Sequence, residues 1–264
     1  MVINMIERIK FIIRVILYNT ILSATKLRAK KYRAEYIKNG KNSIPIFIIN
    51  YNRLSYVKRF IEQLEGFGLT NINIVDNCST YPPLLEYYKT IPYKVFYMDK
   101  NYGYMVFWKH EMFKKFRNNF YVVSDPDLEL VSECPDNFLD VFVDKLSKYP
   151  FVRKVGFSLK IDDLPVNNFT ENIIKWERQY YRTKISCENM YCAGIDTTFA
   201  VYLPDPLVKR QKFLRAFRVA SPFQARHLPW YKDEKTITDE DIYYSEHKTN
   251  GWSDPVKGFE KDEN

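Results

Sequence analysis

The sequence predicts an α/β fold, with helices on both faces of a mostly parallel sheet and an N-terminal amphipathic helix before it. Short apolar runs alternate with helical patterns along residues 44–130. This alternation is typical of β-α-β units with right-handed connections. The runs are almost continuously apolar, as in strands that are buried on both faces. A chain of 264 residues can also bury one good core.

The predicted elements follow in a regular order. Strands are predicted over residues 44–49, 72–75, 94–98, 120–124, 155–159 and 193–202. Helices are predicted over residues 55–65, just after Pro82 and Pro83, over 101–116 and over 135–149. Ser55 can cap the first of these helices, and Gly66 with Gly68 can end it. Asp136 stands near the start of the last one and can cap it.

Polar side chains follow each of the first four strands. They are Asn50, Asn52 and Arg53 after the first strand, Asp76 after the second, Asn101 after the third, and Asp125 with Asp127 after the fourth. Because the carboxyl ends of parallel strands meet at one edge of a sheet, we expect these side chains to form one site. None of the eight glycines forms a dinucleotide-binding or P-loop motif, which argues against those two classes.

Asp125 and Asp127 are separated only by Pro126, directly after an apolar strand. Two neighbouring carboxylates cannot both be buried unpaired, so they face either water or a cation. Oxygen ligands at such a place suit Mg²⁺ or Mn²⁺, which share their sites with substrate phosphates. The alternative is an Asp-Pro turn that ends the strand without any ligand.

These segments resemble the GT-A glycosyltransferases, in particular the broad family that includes bacterial polysaccharide transferases. The similarity rests on PIFIINYNR at residues 45–53, VDNCST at 75–80, NYG at 101–103, and the DPD sequence as a DXD motif. It implies a Rossmann-like αβα sandwich over residues 43–264. Its nucleotide-sugar half would be 43–130 and its acceptor half 131–264.

The resemblance also implies roles for individual residues. Asp76 would contact the nucleotide base, and Asn52 and Arg53 would line the nucleotide pocket. Asp125 and Asp127 would hold Mn²⁺ or Mg²⁺ against the diphosphate of a nucleotide-sugar donor. A divalent ion there stabilises the negative charge of the leaving diphosphate without any proton transfer.

In the acceptor half, Asp196 is the candidate catalytic base or acceptor contact. It stands with Thr197 near the start of the predicted strand 193–202, where an acid is costly without a partner or a role. The alternative is a buried carboxylate that hydroxyl groups such as that of Thr198 satisfy. Glu240 and Asp241 are a weaker candidate for the acidic catalytic pair of the family.

The segment RHLPW at residues 226–230 is a second polar and aromatic cluster. The family resemblance suggests His227 as a third metal ligand. Arg226 beside it suits a diphosphate, and Trp230 could stack on a sugar. Polar residues that we expect to be structural or solvated instead are His110, His247, Asp162, Asp163 and Glu177.

Residues 1–42 form a basic arm. They hold ten Lys and Arg against two Glu, so the rest of the chain has thirty charges of each sign. A neutral body argues against nucleic acid as a partner. Apolar residues of the arm recur at helical spacing: Met5, Ile6, Ile9, Ile12, Ile13 and Ile16. We expect residues 1–40 to bind an anionic membrane surface, although the helix could instead pack on its own domain.

Together these observations predict a metal-dependent glycosyltransferase that moves a sugar from a nucleotide diphosphate to a hydroxyl acceptor, either a glycan or a lipid-linked glycan. Four cysteines without metal spacing and the lack of a cleavable signal lead us to expect a cytoplasmic protein at the inner membrane face. The alternatives are a sugar-1-phosphate nucleotidyltransferase, which would need a glycine-rich loop after the first strand, and a non-catalytic glycan-binding relative.

Overall fold

The computed structural model describes residues 2–149, 151–165, 167–205 and 215–248. Its α-helices are α1 Val2–Asn39, α2 Leu54–Gly66, α3 Pro82–Tyr88, α4 Val106–Lys109, α5 Phe138–Lys148, α6 Asn168–Glu177 and α7 Asp239–His247. Its strands are β1 Ile46–Asn50, β2 Ile72–Asp76, β3 Lys94–Tyr97, β4 Tyr121–Ser124, β5 Leu128–Leu130, β6 Lys154–Leu159, β7 Lys184–Ile185, β8 Met190–Cys192, β9 Ala200–Tyr202 and β10 Ala216–His227.

All of these strands belong to one sheet, in the order β3-β2-β1-β4-β9-β6-β10-β8-β7, with β5 paired to β10. Strands β3, β2, β1 and β4 are parallel neighbours. Strand β9 runs against both β4 and β6, and β6 is parallel to β10. Most of the sheet therefore runs in one direction, and it extends through both predicted halves of the domain.

Apolar side chains of the central strands alternate between two cores on opposite faces of the sheet. In β1, Ile46 and Ile48 join the core under α2, α3 and α5, whereas Phe47 and Ile49 join the core under α4. Successive side chains of a strand point to opposite faces, so a continuously apolar strand supplies both cores. The predicted αβα fold class, which the GT-A resemblance implies, is confirmed.

The structure corrects the sequence prediction in several places. The predicted helix 101–116 is instead a loop, the short α4 and a 3₁₀ helix Glu111–Asn118. The break falls at His110, whose backbone is extended and whose Nδ1 accepts from the amide of Met112. The predicted strand 193–202 is a strand only over Ala200–Tyr202. Strands β5, β7, β8 and β10 were not predicted.

Helix α1 meets the domain through its last third. Ala29 and Tyr36 are buried, the hydroxyl of Tyr36 donates to Asp140 of α5 at 2.5 Å, and Arg33 pairs with Asp144 at 2.6 Å. Further towards the start, Ile9, Ile12, Ile13 and Ile16 are each about half exposed. The side chains of Met5 and Ile6, which the sequence assigns to the same face, lie outside the described part of the structure.

Candidate active site

A cleft of about 540 Å³ opens at the carboxyl ends of strands β1, β2, β3 and β4. Its walls come from the loops that follow these strands and from the end of α7. The residues that line it are Ile49, Tyr51, Arg53, Asn77, Asn101, Tyr102, Gly103, Tyr104, Met105, Lys109, Asp125, Pro126, Asp127, Tyr244 and Lys248. Of the side chains predicted for the site, Arg53, Asn101, Asp125 and Asp127 thus share one cleft.

The carboxylates of Asp125 and Asp127 form one side of the cleft. The hydroxyl of Thr197 donates to Asp125 Oδ2, and the amide of Asp125 donates to the carbonyl of Thr197 at 2.7 Å. Burial and the nearby charge of Asp127 raise the pKa of Asp125 well above its usual value. The pKa of Asp127 is lowered instead, because His227 and Arg53 outweigh the effect of its burial. The pair therefore concentrates negative charge where a cation would relieve it.

His227 supports this pair from the end of β10. Its Nε2 lies 3.3 Å from Asp127 Oδ2, and its ring packs on Trp230 with the ring centroids 4.7 Å apart. Asp127 Oδ1 and His227 Nδ1 are buried and have no hydrogen-bond partner within the described residues. Buried polar atoms of this kind normally have a partner.

These residues fit a divalent metal ion, because they offer two oxygen ligands and an unsatisfied carboxylate oxygen beside an imidazole. Over the described ranges, no three His, Cys, Asp or Glu side chains converge as a ready-made metal cluster. Asp125 and Asp127 would be the ligands, and His227 contacts one of them. A direct role of His227 as the third ligand stays a prediction.

An amide network forms the next part of the cleft. The Asn77 side chain donates to Asn101 Oδ1 at 2.8 Å and to the carbonyl of Gly103 at 3.2 Å. Asn77 Oδ1 accepts from the amide of Tyr102 at 2.9 Å. Gly103 has φ of +70°, a conformation that few residues other than glycine adopt. The network fixes the loop after β3 against the end of β2.

Arg53 is held in the cleft by α7. Its guanidinium donates to Asp241 Oδ1 at 2.7 Å and stacks on Tyr244 at 3.7 Å from the ring centroid. Glu240, beside Asp241, accepts from the amides of Leu54 and Ser55 at the start of α2. The two acids that we considered as a weak catalytic pair therefore join α7 to α2 and orient Arg53.

Three cationic side chains line the same cleft as the two carboxylates. They are Arg53, Lys109 and Lys248. Lys109, Lys248, Asn77 and Tyr244 were not predicted from the sequence. Asn77 stands next to Asp76 in the segment that carries the resemblance, so it could have been included. Lys248 and Tyr244 have no local signal, because only the packing of α7 brings them to the cleft.

Three of the predicted nucleotide-binding residues lie behind the wall of the cleft. Asn50 is fully buried and donates to the carbonyl of Arg53 and to the hydroxyl of Tyr88. Asn52 accepts from the amides of Thr80 and Tyr81, and so holds the start of α3. Asp76 accepts from the amide of Ser79 at 3.0 Å and from the hydroxyl of Tyr88 at 3.2 Å. These side chains shape the loops of the site, and a direct contact between Asp76 and a base stays a prediction.

Arg226 and Trp230 do not line the cleft, contrary to expectation. Arg226 lies opposite Glu129 in the β5–β10 pair and binds Asp163 at 2.7 Å. Because successive strand residues point to opposite faces, Arg226 and its neighbour His227 cannot reach the same ion together. The side chain of Trp230 is 5% exposed and packs in the core, so it has no free face for a sugar.

Asp196 is exposed in the segment that precedes β9, and it is not in a buried strand as the sequence suggested. Its neighbour Thr197 bonds to Asp125, so the segment reaches the carboxylate side of the cleft. Glu177, which we expected to be solvated, is buried and pairs with Arg218. Asp163 is likewise bound by Arg226 and Tyr231.

No protein-family model matches this chain, and no curated protein sequence matches it. Among solved structures, it is similar to glucosyl-3-phosphoglycerate synthase from Mycobacterium tuberculosis in complex with phosphoglyceric acid. The sequence identity is 11% and the TM-score is 0.38, over 66% of this chain and 60% of that chain. The fold assignment rests on the order and direction of the strands.

Proposed function

We propose that this protein is a GT-A-type glycosyltransferase that uses a nucleotide-diphosphate sugar and a divalent metal ion, Mn²⁺ or Mg²⁺. The main support is the cleft at the carboxyl edge of the sheet, which Asp125 and Asp127 line together with Arg53, Lys109 and Lys248. Carboxylates that bind a metal and cations that bind phosphate oxygens are the two requirements of a diphosphate site. The acceptor would be a hydroxyl group of a glycan or of a lipid-linked glycan.

The chemistry follows from this arrangement of charge. A bound divalent ion would supply Lewis-acid stabilisation of the departing diphosphate. Arg53, oriented by Asp241 and Tyr244, would bind a phosphate oxygen through its planar guanidinium. Asp196 would accept the proton of the acceptor hydroxyl or position that hydroxyl.

We further propose that α1 attaches the enzyme to an anionic membrane surface from the cytoplasmic side. At about 100° per residue along a helix, Ile9, Ile13 and Ile16 lie on the side of α1 opposite to the docked residues Ala29 and Tyr36. Leu27, 69% exposed, continues this outward stripe.

Exposed lysines such as Lys30 and Lys31 flank the apolar stripe of α1. An apolar stripe with basic neighbours is the pattern of a helix that lies in a membrane interface. Within the described residues, no helix has a stretch apolar and long enough to span a bilayer.

The experiment that tests the enzymatic proposal is hydrolysis of UDP- and GDP-sugars by the purified protein with Mn²⁺. The Asp125→Asn and Asp127→Asn variants keep the side-chain shape but remove the charge. We expect each to lose most turnover, by about 100-fold or more if metal binding is lost, while the melting temperature stays within a few degrees. EDTA should abolish wild-type turnover, and Mn²⁺ should restore it.

The thermal shift of the wild type with each nucleotide sugar separates binding from turnover, because a ligand that binds only the folded state raises the midpoint. Binding without hydrolysis or transfer would indicate a non-catalytic glycan-binding protein. Pyrophosphate-dependent release of a sugar 1-phosphate would indicate a nucleotidyltransferase. Turnover that persists in EDTA with Asp125→Asn would exclude the metal role.

A further inference from the structure

The segment 193–199 connects β8 to β9 and carries both Asp196 and Thr197. On one side it is bonded to the cleft, through the two hydrogen bonds that join Thr197 to Asp125. On the other side it rests on two buried cations from neighbouring strands, which make contact with three of its consecutive carbonyl groups.

The first cation is Lys154, at the start of β6, whose side chain is fully buried. Its ammonium donates to the carbonyl of Ile195, and it reaches the carbonyl of Asp196 and the hydroxyl of Tyr202 at 3.4 Å each. Burial lowers the pKa of Lys154 to about 7, against the opposing effect of Asp196. A lysine in such a place destabilises the fold, because burying an ammonium is costly even when carbonyl groups accept its protons.

The second cation is Arg218, in β10, which is 3% exposed. Its Nε donates to the carbonyl of Gly194 at 2.7 Å, and its Nη1 pairs with the buried Glu177. Its Cζ lies 4.2 Å from the ring centroid of Tyr180. The guanidinium is fixed from three directions. It therefore offers a rigid support to the segment.

Stability alone does not account for these charges, since replacing whole buried ion pairs with apolar groups is often neutral or stabilising. The particular effect of these cations is to fix the backbone of the segment immediately before Thr197. Carbonyl groups can be held in this way only by donors, which an apolar core lacks.

We propose that Lys154 and Arg218 are positioning residues, which hold the segment 193–199 so that Asp196 faces the acceptor beside Asp125. The proposal rests on the proposed glycosyltransferase function, because it assigns the two cations to the acceptor side of that same site. Lys154 and Arg218 touch no reacting atom, and they act through the backbone of the segment.

The test compares Lys154→Met with Lys145→Met as a matched control. Lys145 in α5 is also a poorly exposed lysine that donates to a backbone carbonyl, but that carbonyl belongs to Glu188, outside segment 193–199. We expect Lys154→Met to change the melting temperature by only a few degrees, because relief from burying an ammonium offsets the loss of a donor to two carbonyl groups. It should lower kcat for nucleotide-sugar hydrolysis by about tenfold or more, since small misplacements are costly in catalysis. The donor KM should stay within about twofold, because the donor residues are untouched. Lys145→Met should leave kcat unchanged.

Two further measurements separate positioning from a merely structural role. In an Asp196→Asn background, Lys154→Met should change kcat by less than about twofold, because its effect passes through Asp196. Hydrogen exchange of the amides in segment 193–199 should become at least about tenfold faster in Lys154→Met, while those of β1 and β4 stay as in the wild type.

Unchanged kcat and unchanged exchange in Lys154→Met would overturn the inference. An equal loss of kcat with and without Asp196 would also overturn it. If the wild type turns over no nucleotide sugar, the enzymatic proposal fails on its own. The exchange measurement then decides by itself whether Lys154 holds the segment.

Discussion

At the residue scale, the site depends on charges whose partners are distant in the sequence. Asp127 contacts His227, and Arg53 contacts Asp241, which is 188 residues away. Each contact places a side chain that the chemistry would use. The buried Lys154 is the most unusual of these charges, because its ammonium lies beneath the segment of Asp196 and faces Arg218 and Tyr202.

The lowered pKa of Lys154 predicts how the free energy of unfolding changes with pH. Its pKa is lowered to about 7 in the folded protein from an ordinary value of 10.5. Between these values the unfolded chain binds the proton and the folded chain does not, so the free energy of unfolding rises with pH. One such group gives a slope of up to about 1.4 kcal/mol per pH unit. Urea unfolding of the wild type at pH 7 to 8.5 should show the rise.

The control for this prediction is Lys154→Met, which lacks the contribution of this residue to the slope of unfolding free energy against pH. The difference between the two proteins removes the contribution of other groups, such as Cys134, whose buried thiol has a raised pKa of about 12. Equal slopes for the two proteins would mean that Lys154 keeps its charge throughout this range.

At the scale of elements, the antiparallel strand β9 brings together the two parts of the sheet. It pairs with β4, which leads to Asp125, and with β6, which starts at Lys154. The close approach of β6 and β9 needs Gly156. A Cβ atom at this position would stand 2.3 Å from the carbonyl oxygen of Phe199 and 2.8 Å from the Cβ atom of Ala200.

Gly156→Ala should therefore destabilise the protein by about 1–3 kcal/mol, the usual cost of excess volume in a packed core. Gly66→Ala at the end of α2 is the matched control, since no atom lies within 4 Å of its added Cβ. The control should be neutral or stabilising by up to about 1 kcal/mol. Chemical unfolding of both variants measures the difference. A Gly156→Ala variant as stable as the control would contradict the packing of β6 on β9.

Helix α7 is the other element whose position determines the shape of the cleft. It has a hydrogen-bonded cap at Thr238, and its first-turn acids bind Arg53 and the start of α2 instead of remaining in solvent. A helix N-terminus favours acidic residues, so the sequence pattern alone is explained by capping. The structure adds that these acids join α7 to the first loop of the cleft.

At the scale of the whole molecule, one part of α1 packs on the domain, and an apolar stripe of the same helix faces away from it. The docked part contacts α5 through Tyr36 and Arg33. A deletion can therefore test membrane binding without disturbing the domain. Removing residues 2–24 keeps the contacts between α1 and α5, whereas removing residues 1–40 also removes those contacts.

We expect the full chain to bind vesicles with anionic lipid, and to bind neutral vesicles weakly. Each basic residue near an anionic surface contributes about 1 kcal/mol, and salt screens this contribution. Replacing Ile9, Ile13 and Ile16 with Gln should remove binding at all salt concentrations. Replacing Lys26, Lys30 and Lys31 with Gln should remove mainly its salt-sensitive part. Vesicle sedimentation measures both variants.

The deletion of residues 2–24 should release the protein from vesicles and leave its melting temperature and nucleotide-sugar hydrolysis unchanged. Equal binding to neutral and anionic vesicles would remove the electrostatic part of the proposal. A deletion variant that unfolds would show that the first part of α1 belongs to the core of the protein.

The sequence by itself determined the β-α-β units, the edge of the sheet at which the cleft opens, and the place of Asp125 and Asp127 at that edge. These follow from local apolar patterns and from the right-handed connection rule, which need no knowledge of distant contacts. Tertiary structure alone decided that His227 approaches Asp127 while Arg226 turns away, and that Trp230 is buried. It also decided that Glu177 pairs with Arg218, 41 residues away. The physical reason is that strand alternation and long-range ion pairs depend on register and packing, which short stretches of sequence do not encode.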